Sequence, residues 1–151
     1  VESDQICISL SKHLTTDNIN LNKAFTVSIA DAEHVVACDY VGIVSGNDVP
    51  DKMEKAGFTT RKSEFVNAPV INELPLCLEC TLHRIDGELS KDEMHYIGKI
   101  VNICADEKIL DDNGNVDLKK FNPICYDPSG HGYYKLGEKV GQAFSDGKKL
   151  S

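Results

Sequence analysis

Long hydrophobic runs are absent from this chain of 151 residues. No apolar stretch approaches the ~20 residues that a membrane-spanning helix needs, so we expect no membrane insertion. The first five residues lack the basic region and the apolar core of a secretory signal. Since thiols stay reduced in the cytoplasm, we expect the six cysteines to be free and the protein to be cytoplasmic.

Concentrated positive charge is also absent. The net charge is −8, and the sixteen lysines and arginines are scattered along the chain. Nucleic-acid binding requires a basic face that neutralises phosphates. We therefore expect no nucleic-acid partner, and we interpret the acidic balance as a contribution to solubility.

Catalytic signatures are absent too. The chain has no Ser-His-Asp nucleophile motif, no His-Glu-x-x-His, no Walker loop and no Gly-x-Gly-x-x-Gly. Residues 111–117 (DDNGNVD) resemble a calcium loop only faintly, because loop positions six and twelve hold Val116 and Asn122 instead of Gly and Glu. We interpret this segment as a hairpin turn and expect no metal site.

Alternating apolar residues predict a mainly β chain with a few short helices. Strands are predicted at 6–10, where the strand should be buried, and at 24–29, 73–85 and 95–105. Residues 87–93 should join the last two strands in a hairpin. Because regular β-α alternation is missing, a single-domain barrel over residues 1–151 fits better than a doubly wound sheet.

Several connecting segments carry helix and turn signals. We predict a short helix that ends near Asn22, a helix over 32–43 capped by Asp31, a short helix capped by Asp48 with Gly57 at its end, and one helical turn over 117–121. Residues 61–68 are interpreted as irregular, and the glycine-rich segment 127–144 as an outer wrapping. The helix over 32–43 should bury one side, formed by Val35, Val36, Cys38 and Val41.

Cys77 and Cys80 form a Cys-x-x-Cys motif inside the longest predicted strand. Side chains alternate faces along a strand, so an offset of three places the two sulfurs on opposite sides of the sheet. A zinc knuckle or redox dithiol needs both sulfurs on one side. We therefore predict two separate strand cysteines. A thiol or zinc protein that uses Cys77 and Cys80 is kept as the lowest-ranked of three functional hypotheses, and the other two follow below.

Two polar loops are candidate anion sites. Residues 11–16 (SKHLTT) follow a strand and offer Lys12, His13, Thr15 and Thr16 as donors next to a helix start, an arrangement that can hold a phosphate. The alternative is a solvated loop with a helix cap. Ser45 and Gly46 form a loop whose backbone can approach a ligand closely, or an ordinary connector.

Three segments resemble the flavin reductase-like, FMN-binding split-barrel family. Residues 42–58 (GIVSGNDVPDKMEKAGF) and 67–80 (NAPVINELPLCLEC) resemble two family motifs, and residues 126–144 (YDPSGHGYYKLGEKVGQAF) resemble the C-terminal signature of its flavoredoxin-type branch. The matches follow the family's order and span nearly the whole chain. The resemblance implies a six-stranded Greek-key split barrel with added short helices.

The same resemblance implies a homodimer with FMN near the subunit interface. It implies an oxidoreductase in which NAD(P)H is the electron donor, with electrons passing through FMN to an acceptor. Flavoredoxin-like members are electron carriers, with a redox protein as a possible acceptor, and other members release reduced flavin to a partner enzyme. The flavin supplies the chemistry, so the resemblance names no catalytic side chain.

Individual residues carry over from the family's motifs. Residues 6–19 resemble a strand followed by a loop that holds the FMN phosphate, which makes Ser11, Lys12, His13, Thr15 and Thr16 cofactor-binding candidates. His13 stands where an arginine is common, and Lys12 can supply the missing charge. Ser45 and Gly46 match the second loop, and Lys52 matches the family's Asp-Lys pair.

The resemblance also places the residues that contact the isoalloxazine ring upstream of Val1, in strands that we expect to precede this sequence. It leaves open NADH versus NADPH, the electron acceptor, and whether FMN stays bound. The second hypothesis is a non-catalytic split-barrel module that binds flavin or haem-like ligands, or only itself.

Overall fold

The computed structural model of the protein describes residues 4–87 and 93–150. The helices are α1 (Leu14–Asn22), α2 (Val35–Ile43), α3 (Lys52–Lys55) and α4 (Leu118–Phe121). The strands are β1 (Gln5–Ser11), β2 (Ala24–Ser28), β3 (Thr60–Lys62), β4 (Pro69–Ile71), β5 (Leu76–Asp86), β6 (Glu93–Ala105), β7 (Ile124–Asp127) and β8 (Gly132–Lys135). Among these residues, no helix is long and apolar enough to cross a membrane.

The largest sheet is antiparallel and has the strand order β1-β6-β5-β2. All four of its strands were predicted from alternating apolar residues, and the mainly β fold is confirmed. The predicted β5–β6 hairpin is present, while residues 88–92 of its connection lie outside the described residues. β1 is half-buried, with Cys7 exposed, so the expectation of a buried strand was wrong. As the terminal strand of this order, β1 pairs with one neighbour, β6.

One face of this sheet carries the apolar core. Phe25, Cys80 and Tyr96, one from each of three strands, meet Ile19 of α1 there. Burying each large apolar side chain contributes about 1.5–3 kcal/mol. Gly98 on β6 makes room for this packing, since a Cβ at that position would lie 2.4 Å from Phe25 Cζ.

The opposite face is more polar, and the β3–β4 ribbon covers it. The hydroxyl of Thr26 donates to the Pro69 carbonyl at 2.6 Å, and the hydroxyl of Ser63 donates to the buried carboxylate of Glu79 at 2.9 Å. Residues 61–68 were interpreted as wholly irregular, and this was wrong at their start, because β3 pairs with β4. Strands of three residues are too short to show a period in the sequence.

The second helix starts later and is less buried than predicted. Asp31 Oδ1 accepts hydrogen bonds from the backbone N–H groups of Glu33 and His34, which holds a turn in front of α2. Val36 is 80% exposed, and no α2 residue is fully buried, so the predicted buried side was wrong. The next helix follows Asp51 rather than Asp48.

The remaining turns follow their sequence signals. Gly57 and Gly114 have positive φ angles, and Asp111 Oδ1 accepts from the backbone of Asn113 and Asn115, as expected of a hairpin turn. The predicted turn of helix is α4. The β7–β8 ribbon lies against α2, where the hydroxyl of Tyr133 donates to Asp39 at 2.8 Å.

Candidate functional site

A cavity of about 1150 Å³ opens between α1, the loop after α2, and the β3–β4 ribbon. It brings together five of the eight sequence-predicted site residues, although they come from three separate segments: His13, Thr15, Ser45, Gly46 and Lys52. Ser11, Lys12 and Thr16 are not among the residues that line it. The cavity therefore joins the two polar loops that the sequence indicated separately.

The start of α1 forms one wall of the cavity. Thr16 is 4% exposed, and its hydroxyl accepts from the His13 N–H at 3.0 Å and donates to the His13 carbonyl at 2.7 Å. This hydroxyl therefore caps the helix rather than facing the cavity. The first turn of a helix leaves backbone N–H groups without intrahelical partners, and here that turn borders the cavity.

His13 has a defined ring orientation at this wall. Its Nδ1 lies in hydrogen-bond contact with the Ser11 carbonyl. A carbonyl oxygen only accepts, so Nδ1 carries the proton, and Nε2 of the neutral ring is an acceptor. The ring therefore gains a second N–H donor only when it is protonated.

The loop after α2 forms the facing wall. A Cβ at Gly46 would lie 3.0 Å from Leu14 Cδ2, so the two loops are in contact and a side chain at Gly46 would push into α1. Ser45 Oγ accepts from the Asn47 N–H at 3.2 Å, which shapes the turn. Gly46 thus keeps the backbone of this wall open to a ligand.

Lys52 supplies positive charge behind this loop. Its ammonium group donates to the carbonyl oxygens of Val41 and Val44, each at 2.7 Å. A lysine has three N–H donors, so a third remains beside the cavity that Lys52 lines.

The β3–β4 ribbon contributes residues that the sequence reasoning missed. Arg61 and Lys62 line the cavity, and the Asn67 amide donates to Asn22 Oδ1 at 2.7 Å, which ties the ribbon to α1. In the sequence, only the adjacency of the two basic residues Arg61 and Lys62 could have indicated an anion site. Because no strand was predicted there, nothing indicated that they lie near the other loops.

Cys77 and Cys80 lie on opposite faces of the sheet, as predicted. Cys80 belongs to the apolar core, whereas Cys77 shares the other face with its cross-strand neighbour Ser28. Burial raises the pKa of both thiols, that of Cys80 to about 11. In the described part of the chain, the potential ligand groups that cluster closely are those of Asp31, Glu33 and His34, and Asp31 Oδ1 is already occupied by N–H donors.

Comparison with known proteins adds independent findings. The model of the flavin reductase like domain matches residues 4–131. An uncharacterized protein of Aquifex aeolicus is 32% identical over 114 residues, which is 73% of this chain and 55% of that protein. The chain thus spans about half the length of this curated relative.

Two solved structures share the fold closely. The flavoredoxin of Desulfovibrio vulgaris is 35% identical and superposes with a TM-score of 0.87 over 95% of this chain and 75% of its own. The flavoredoxin of Methanosarcina acetivorans is 27% identical, with a TM-score of 0.90 over 100% of this chain and 80% of its own. These superpositions confirm the split-barrel fold.

Proposed function

Since the chain belongs to the flavin reductase like domain family and to its flavoredoxin branch, we propose that it binds FMN in the described cavity. We further propose that it is an oxidoreductase in which electrons pass from NAD(P)H through FMN to an acceptor. The observation that carries the proposal is the meeting of the α1 start with the Ser45–Gly46 loop at one cavity. We place this activity in the cytoplasm, where free thiols persist.

The cavity residues fit a phosphorylated ligand. A helix start favours anions through its unpaired N–H groups and its dipole, and His13 and Thr15 stand at that start. Lys52 adds a cation from the other side, and Gly46 lets its loop approach Leu14 of α1 closely. The cavity has a volume of about 1150 Å³, slightly more than the roughly 300–1,000 Å³ usual for small-molecule sites, so its size is sufficient for such a ligand.

Each side chain has a defined part in this proposal. Thr15 and Lys52 hold the phosphate, His13 adds a donor when its ring is protonated, and the Gly46 backbone contacts the phosphate closely. Phe25, Val41 and Ile71, which line the same cavity, give it an apolar wall. When bound, FMN supplies the hydride and electron chemistry, and the protein orients it and tunes it by nearby hydrogen bonds and charge.

A homodimer is part of the proposal. Val101 and Ile103 on β6 are 43% and 57% exposed, and Val140 and Phe144 in the C-terminal segment are almost fully exposed. Exposed apolar side chains such as these are candidates for a protein interaction surface. Light scattering coupled to size-exclusion chromatography should give twice the mass of one chain, and a monomer at micromolar concentration would contradict the dimer.

The decisive experiment is a visible spectrum of the purified protein after addition of FMN and removal of free flavin. We expect flavin bands in a one-to-one ratio with the chain. Under nitrogen, NADH or NADPH should bleach them, which would also identify the donor. A protein that keeps FMN but is not bleached by either nucleotide would favour the non-catalytic module, and one that retains no FMN would contradict the binding proposal.

A further inference from the structure

Cys77 and Cys104 lie directly opposite each other on β5 and β6. Opposed residues of an antiparallel pair point to the same face, with their Cα atoms about 4.5–5.5 Å apart. A disulfide joins Cα atoms about 4.4–6.8 Å apart. Both thiols are free, and the backbone already holds them at a separation that a disulfide can span.

The two cysteines border a cleft of about 200 Å³. Neither cysteine lines the larger cavity. Cys77 is 1% exposed, whereas Cys104 is partly exposed. Arg61 Nη2 donates to Cys104 Sγ at 3.2 Å, which sets a fixed positive charge beside the more accessible sulfur. The guanidinium can stabilise negative charge that develops on this sulfur during the reaction.

Ser28 is the neighbour of Cys77 on β2, the strand on the other side of β5 from β6. The two residues are paired across β2 and β5. The Ser28 hydroxyl is buried and lies close to the Cys77 sulfur, where it opposes the rise that burial causes in the pKa of this thiol. This hydroxyl can donate a hydrogen bond to the Cys77 sulfur when that sulfur loses its proton.

We propose that Cys77 and Cys104 are a redox-active dithiol that a peroxide converts to an intramolecular disulfide. The Cys104 thiolate attacks one oxygen of hydrogen peroxide, so that an S–O bond forms, the O–O bond breaks and hydroxide leaves, which takes up the proton released by the thiol to give water. The Cys77 thiolate then attacks the Cys104 sulfur, the S–S bond forms, the S–O bond breaks and hydroxide leaves, which takes up the proton released by the Cys77 thiol to give a second water. Two thiols and one peroxide thus give one disulfide and two waters, and a dithiol reductant reverses the change.

The sequence motif indicates a different pair. Cys77 and Cys80 are close in sequence but lie on opposite faces, and Cys80 is enclosed in the apolar core. Cys104 becomes the partner of Cys77 only through the β5–β6 register. The proposal does not depend on flavin binding.

The test maps the disulfides of the folded wild-type protein. The reduced protein is treated with one equivalent of hydrogen peroxide, alkylated in denaturant with iodoacetamide, digested and analysed by mass spectrometry. We expect a linked peptide pair containing Cys77 and Cys104, two hydrogens lighter than the sum of the free peptides, and its disappearance after dithiothreitol treatment. Cys7 and Cys125, which are exposed, are internal controls for unspecific oxidation.

Variants sharpen the test. Cys104→Ser should abolish the linked pair, Cys80→Ala should retain it, and Arg61→Gln should slow its formation several-fold. The proposal is overturned if the folded wild-type protein yields alkylated Cys77 and Cys104 while Cys7 or Cys125 is oxidised. It is also overturned if the link forms only after unfolding in guanidinium chloride. Both outcomes are read from the wild-type protein, so a variant that fails to fold does not affect the decision.

Discussion

The ammonium group of Lys52 donates a hydrogen bond to the carbonyl oxygen of Val44 at 2.7 Å. A second bond reaches Val41, and the last carbonyl groups of a helix have no intrahelical partners. Lys52 therefore closes the end of α2 and fixes the start of the loop that contains Ser45 and Gly46. One residue both builds the cavity wall and supplies charge to it.

Lys52→Met should lower the free energy of unfolding by about 1.5–3 kcal/mol, the range for hydrogen bonds to charged groups. It should also weaken FMN binding, because the loop loses its anchor and the site loses a cation. Urea unfolding and FMN titration measure the two effects. Lys55→Met is the matched control, since Lys55 forms an exposed ion pair with Asp51, and equal losses in both variants would contradict the assignment to Lys52.

His13→Arg should tighten FMN binding about tenfold, the equivalent of one added charge-assisted hydrogen bond. Arginine is always charged and can form a bidentate contact with phosphate, whereas the neutral His13 ring presents Nε2 as an acceptor. Fluorescence titration of the wild-type and variant proteins with FMN measures the two dissociation constants, and equal constants would contradict a phosphate contact at position 13.

The alanine variants of the same wall test the phosphate assignment itself. His13→Ala and Thr15→Ala should each weaken FMN binding, and Lys12→Ala is a neighbouring control that does not line the cavity. Full affinity in both cavity variants would rule out the phosphate loop at the start of α1.

Gly46→Ala should weaken FMN binding while the protein stays folded. The added Cβ would lie 3.0 Å from Leu14 Cδ2, so the loop and α1 must separate or the new methyl group must enter the ligand space. Gly137→Ala is the matched control, because its Cβ would meet nothing within 4 Å. An unchanged dissociation constant for Gly46→Ala would show that this backbone is not in contact with the ligand.

Strand periodicity was sufficient to predict β1, β2, β5 and β6, because each has at least five residues of alternating character. It could not predict β3 and β4, whose three-residue strands depend on contacts distant in sequence, such as that of Ser63 with Glu79. Arg61 was missed as a cavity residue for the same reason.

The sequence predicted most of the candidate site's residues but not their arrangement in space. The sequence indicated His13, Thr15, Ser45, Gly46 and Lys52, but their meeting at one cavity follows from the fold. The sequence also did not predict that Thr16 and Lys52 stabilise neighbouring turns, because both side chains do so by hydrogen bonds to backbone groups. The pairing of Cys77 with Cys104 required the strand register, which no local pattern specifies.

The thiol of Cys80 should be alkylated much more slowly than those of Cys7 and Cys125 in the folded protein. Burial raises the pKa of Cys80 to about 11, and only the thiolate reacts. Below that value the thiolate fraction rises about tenfold per pH unit, so the Cys80 rate should still be climbing between pH 8 and 9. Mass spectrometry after timed iodoacetamide exposure gives each rate, and a Cys80 rate equal to that of the exposed thiols would contradict its burial.

Gly98→Ala should destabilise the sheet by about 1–3 kcal/mol, the usual cost of overpacking a core. A Cβ at this position would lie 2.4 Å from Phe25 Cζ and 3.1 Å from Cys80 Cβ, so the ring must leave its place between β2 and β6. Phe25→Leu alone should also destabilise, because it removes buried aromatic surface. The double variant Gly98→Ala/Phe25→Leu should lose less than the sum of the two single losses in urea unfolding, because the shorter side chain leaves room for the methyl group. Additive losses would mean that the space Gly98 leaves to Phe25 is not the cause of the destabilisation.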